Sequence, residues 1–174
     1  MSNDRRRGAG TLPMTIVVTG LTMGYADTFT QSINDPAGFW LDKADLIDWI
    51  TPPSCGLAED VNGIERWYPD GVLNTCFNAI DRHVVAGRAE QVAIYYDSPV
   101  TDEKLAITYA QLLEKVARFA GGLRSLGVEK GDRVVIYMPM IPEAVIAMLA
   151  CARLGAIHSV VFGGFVASEL AARL

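Results

Sequence analysis

Two near-continuous apolar runs, Arg133–Met138 and Ala156–Phe162, flank a helical pattern, and no other feature of this sequence restricts its fold as much. Neither run shows the in-out alternation of a half-solvated strand, so each suits a strand covered on both faces. Between them Pro142 and Glu143 mark a helix start, Ala144 to Leu154 is apolar nearly all round, and Gly155 supplies the stop. Strand, crossover helix and strand make a β-α-β unit whose strands run parallel through a right-handed crossover. The fold class is therefore α/β with a parallel sheet.

Upstream, Thr108 with Gln111 fits a capping box. Leu112, Val116, Phe119, Ala120, Leu123 and Leu126 then form one apolar stripe that ends at Gly127. Val92–Tyr96 is a strand candidate and Ile107 ends a short hairpin. Earlier still, Asp27–Ile33 and Pro36–Asp45 read as short helices, the second capped by Asn34 or Asp35 and anchored by Phe39 and Trp40. Thr51–Gly63, rich in proline and glycine, reads as a loop. Asn74–Val85 reads as a helix, with Phe77, Ile80 and Val84 at helical spacing, and Gly87 ends it. A last helix begins near Val166 and has no stop signal before Leu174. About three parallel strands are fewer than an open sheet normally uses, so we expect a truncated domain.

With 15 Lys+Arg against 20 Asp+Glu, the chain lacks the cationic excess that grips a phosphate backbone, and no nucleic-acid partner is expected. No apolar run reaches a membrane span. Cys55, Cys76 and Cys151 have no C-x-x-C spacing, and with two histidines no finger-type metal site can be written. Arg5 to Arg7 followed by Leu12 to Met23 imitate a signal peptide without its cleavage site. The glycines and Pro13 break any regular element, so residues 1–23 are expected to be a disordered leader, with a targeting segment as the alternative.

The self-contained motifs of phosphate loops, dinucleotide folds, nucleophile elbows and zinc proteases are all absent. Asp102 and Glu103 read as a solvated turn. Cys151 and His158 read as core residues, and His83 as a structural hydrogen-bond partner. The positive signal is Phe162-Gly163-Gly164-Phe165 at the carboxyl end of the second parallel strand, where ligands of open α/β sheets bind. Spacing alone is equally met by a tight strand-to-helix turn, the plainer reading.

Four stretches carry a family resemblance: Arg66 to Gly71 (RWYPDG), Leu73 to His83 (LNTCFNAIDRH), Gly131 to Ala144 (GDRVVIYMPMIPEA) and Leu149 to Phe165 (LACARLGAIHSVVFGGF). Together they resemble the short-chain acyl-CoA synthetases of the AMP-forming, adenylate-forming superfamily, over about Tyr25 to Leu174. Within that family, Asn74 to His83 and Tyr96 to Thr101 resemble the propionyl-CoA synthetases more than the acetyl-CoA synthetases. The resemblance implies an N-terminal portion only, with three parts: a leader at 1–23, an N-terminal extension at 24–88, and the incomplete start of an AMP-binding domain at 89–174.

It further implies a ligase using ATP, Mg2+ and CoA with a short-chain carboxylate, resident in the cytoplasm or, in a eukaryote, the mitochondrial matrix. Phe162, Gly163 and Gly164 would border CoA. No catalytic, ATP-binding or metal-ligating residue is expected within these 174 residues. Two alternatives stand beside this expectation: an acetyl-CoA synthetase, and a non-catalytic interaction module.

Overall fold

The computed structural model describes residues 24–164 and 167–172. The expected leader at 1–23 and the onset of the last helix near Val166 lie outside them. Helices α1 (Tyr25–Asn34) and α2 (Pro36–Ala44) open the described chain. Asp35, of the two candidates, caps α2 by accepting from the Gly38 N–H at 3.0 Å, and Pro36 occupies the first turn, where its missing donor costs nothing.

The stretch expected to be a loop carries half of a hairpin, β1 (Leu57–Glu59) paired antiparallel with β2 (Glu65–Trp67). Its turn is held by Asp60, whose carboxylate accepts from the Asn62 and Ile64 N–H groups. Proline and glycine flank the strand rather than interrupt it, so a loop reading of the composition overlooked three paired residues. The hairpin packs on α2 so closely that a Cβ at Gly56 would overlap the Ala37 carbonyl oxygen and stand only 3.0 Å from its carbon. Tyr68 Oη donates to the Trp40 carbonyl at 2.7 Å, and Trp40 meets Trp67 edge to face.

The next helical stretch contains wide π-helical turns at Phe77–Asp81 and Val84–Arg88, with Gly87 at φ 80° inside the second. Its Cys76 and Ile80 are buried in one core with Ile107, Leu112, Val116, Ala120, Ile146 and Ala150. The extension thus shares the core of the α/β unit. Strands β3 (Val92–Ser98) and β4 (Glu103–Thr108) form the expected hairpin, two residues longer than predicted in its first strand. Helix α3 (Tyr109–Ser125) starts with the full Thr108–Gln111 capping box. Of its apolar stripe, Leu112, Val116 and Ala120 are buried. Leu126 is a largely exposed cap residue, because the helix has ended there.

Strand β5 (Arg133–Met138) runs parallel to β6 (Ile157–Phe162), with Arg133 opposite Ile157 and Met138 opposite Phe162. Between them α4 (Pro142–Leu154) buries Ile146, Ala147, Ala150 and Cys151, and Gly155 terminates it at φ 74°, a left-handed conformation that glycine adopts without strain. The parallel β-α-β unit is present as expected. Its strands are not covered on both faces among the described residues: Tyr137, Ile157 and Val160 remain substantially exposed. A short helix α5 (Ala167–Ala171) follows β6.

Candidate functional site

The parallel pairing brings the carboxyl ends of β5 and β6 side by side. Beyond them the Gly163 N–H donates to the Met138 carbonyl oxygen at 3.1 Å, tying the glycine turn to the loop that leads into α4. A Cβ at Gly163 would stand 2.9 Å from the Pro139 nitrogen and 3.0 Å from the Met138 carbonyl carbon, both backbone atoms that cannot swing aside. Gly163 therefore has a packing reason to be glycine. Gly164, in the same turn, is exposed. Phe162 is the last residue of β6, and Phe165 lies outside the described residues. The turn presents backbone at Gly163 and Gly164 and carries no titratable side chain of its own, so it cannot transfer protons.

At the opposite end of the unit a polar clasp joins residues far apart in sequence. Arg153, in the last turn of α4, donates to both carboxylate oxygens of Asp81 at 3.2 and 2.6 Å. Asn74 donates from its amide to the Arg153 carbonyl at 3.1 Å, satisfying one of the carbonyls a helix end leaves unpaired. Burial works against the Arg153 charge, yet its hydrogen bonds to Asp81, the Asp81 charge and its interactions with Cys76 together outweigh that penalty and hold its pKa above the ordinary value. Asn78 extends the clasp by pairing with both the N–H and the carbonyl of Asp48 at 2.8 Å. No local spacing signals a pair 72 residues apart, so the sequence reading did not single out Asp81 or Arg153.

His83 meets Arg88 through Nδ1 and stacks edge to face on Tyr109, in keeping with a structural role. Partial burial, then the neighbouring positive charges of Arg88 and Arg82, lower its pKa. Burial raises the pKa of the Cys76 and Cys151 thiols, which stay protonated and unreactive at neutral pH. His158 corrects the expectation of a core imidazole: it is exposed, because that part of β6 has no covering element among the described residues. Among the described residues no three His, Cys, Asp or Glu side chains converge to hold a metal ion. No helix of the described residues is long and apolar enough to cross a membrane.

A parallel β-α-β unit with a glycine turn at the carboxyl end of its second strand places the chain among α/β proteins, and comparison with known proteins specifies the family. Residues 81–174, more than half of the chain, match the AMP-binding enzyme family, and the chain belongs to it. Residues 25–79 match the acetyl-coenzyme A synthetase N-terminus.

Among curated relatives, acyl-CoA synthetase short-chain family member 3, mitochondrial, of Rattus norvegicus is 51% identical over 150 residues, 86% of this chain and 22% of that protein. Acetyl-coenzyme A synthetase of Streptomyces avermitilis is 49% identical over 149 residues, 86% of this chain and 23% of that protein. The solved acetoacetyl-CoA synthetase from Streptomyces lividans superposes with a TM-score of 0.72 at 30% identity, covering 85% of this chain and 23% of its own. The chain thus spans about a quarter of the length of the relatives it matches.

Proposed function

We propose that the chain is the amino-terminal part of an AMP-forming short-chain acyl-CoA synthetase that joins propionate to CoA. The carrying observation is the adjoining pair of family matches, 25–79 and 81–174, laid over a fold whose extension and α/β unit share one core. In this reading residues 1–23 are a leader, 24–88 the extension and 89–174 the start of the adenylation domain, in a cytoplasmic enzyme.

In the first half-reaction a carboxylate oxygen attacks the α-phosphorus of ATP, and pyrophosphate leaves as the acyl-adenylate forms. In the second, the CoA sulfur attacks the acyl carbon, loses its proton, and AMP leaves. The groups that stabilise these charges belong to the remainder of the longer protein. The 174 residues alone are accordingly expected not to catalyse either half-reaction.

The part we assign to this chain is the Phe162–Gly163–Gly164 turn, whose bare backbone would border the CoA nucleotide. Gly164→Leu in the longer protein tests it. We expect propionate-dependent exchange of pyrophosphate into ATP to persist, while CoA-dependent AMP release loses at least about tenfold in kcat/KM, the equivalent of one lost contact of about 1.4 kcal/mol. Equal loss in both half-reactions, or in neither, would return the glycine pair to a purely structural turn. The likeness to the Streptomyces avermitilis acetyl-coenzyme A synthetase favours acetate as the second reading. The ratio of kcat/KM for propionate and acetate decides between them.

A further inference from the structure

A single exposed apolar side chain carries no argument by itself, since every folded surface keeps some, and Val61 and Val100 stand out in this way from hairpin turns. Met140 differs in its support. It is 81% exposed, yet it sits in the short connection Pro139–Ile141 between β5 and α4, at the carboxyl end of the parallel pair. Pro139 and Pro142 fix φ on either side of it. The Ile141 N–H donates to the Pro139 carbonyl at 2.9 Å, and the Ala144 N–H to the Ile141 carbonyl at 3.0 Å. Met138 packs on the core of Ile136, Ala147, Cys151 and Ala156. Because Gly163 donates to the Met138 carbonyl and lies hard against the Pro139 nitrogen, the connection and the glycine turn form one piece, from which the Met140 side chain projects.

The chemistry of this edge selects one part of a nucleotide. Two glycines let a ligand approach the backbone but give a flat ring no side chain to lie against, and the Gly163 N–H is already spent on Met138. A thioether on an unbranched stem supplies what they lack, being polarisable, adaptable in shape and attractive to aromatic rings. Glu143, exposed in the first turn of α4, adds a negative charge beside the connection, which repels phosphate groups and leaves an uncharged ring as the better occupant. We propose that Met140 is the purine contact of the CoA site, its side chain lying against the adenine ring and so favouring acceptors that carry the nucleotide. This rests on the reading of the Phe162–Gly163–Gly164 turn as the border of CoA.

The test uses the longer protein and titration calorimetry with two probes: CoA itself, and adenosine 3′,5′-bisphosphate, which has the purine but not the thiol arm. Met140→Ala should raise Kd for both by about fivefold, the scale of one lost sulfur–ring contact. Met140→Leu, which keeps an apolar side chain of similar volume, should hold the loss to about twofold. An unchanged urea midpoint shows that the fold is intact, and Met140→Gln repeats the measurement should the alanine variant fold poorly. Unmoved Kd values overturn the proposal. So does weaker CoA binding with the bisphosphate unaffected, which would place Met140 against the thiol arm, and so does a parent protein that binds no bisphosphate. Thioester formation separates this inference from the reading beneath it. A working ligase whose nucleotide affinity ignores Met140 loses the purine contact alone, and a protein that binds CoA through Met140 yet forms no propionyl thioester loses the propionate ligase alone.

Discussion

Replacing Arg153 with Met would leave the Asp81 carboxylate without its bidentate partner in a site where the two side chains are only 26% and 20% exposed. Breaking a fully buried pair from one side costs about 3–5 kcal/mol, because the remaining charge keeps its desolvation penalty and loses its compensation. Residual water access at Asp81 lowers that to about 2–3 kcal/mol here. For a domain of this size such a loss is equivalent to roughly 5–10 °C in Tm. Urea unfolding of the 174-residue chain at low concentration, followed by circular dichroism, reads it directly. Asp81→Leu combined with Arg153→Met should recover most of the loss, since removing both charges leaves nothing stranded. A single-variant cost below about 0.5 kcal/mol would refute the reasoning and reduce the clasp to an ordinary surface pair.

Gly56→Ala should destabilise by more than the about 1 kcal/mol typical of point variants, as its Cβ would overlap the Ala37 carbonyl oxygen and α2 must shift to admit it; an unchanged urea midpoint would contradict this. Of the three free cysteines, Cys55 is half-buried while Cys76 and Cys151 are buried with raised pKa values, so a thiol reagent should modify one thiol in the native state and three after denaturation. The N–H groups of Ile64, first, and Asn62 hold the Asp60 pKa below the ordinary carboxylate value in the folded state. The stabilisation from Asp60 is therefore full above the unfolded value of about 4 and is lost as pH falls through the lower folded one. Asp60→Ala should accordingly flatten the acid limb of a stability–pH profile.

Patterns that act over one or two turns of chain were legible in the sequence. Apolar runs bounded by Gly131, Pro142 and Gly155 specified the parallel unit, and Thr108 with Gln111 specified the start of α3, because capping and helix termination depend on residues within four positions of each other. The glycine turn was likewise visible, and the family stretches marked it for attention. Long-range approach was not legible. Only the folded chain brings Asp81 to Arg153, sets Gly56 against α2 and Gly163 against Pro139, and makes Cys76 and Ile80 part of the same core as α3 and α4. His158 shows the same limit from the other side: its place in an apolar strand is a local fact, but its exposure depends on what packs over that strand. Periodicity states which face of an element is apolar, and only tertiary packing decides what, if anything, covers it.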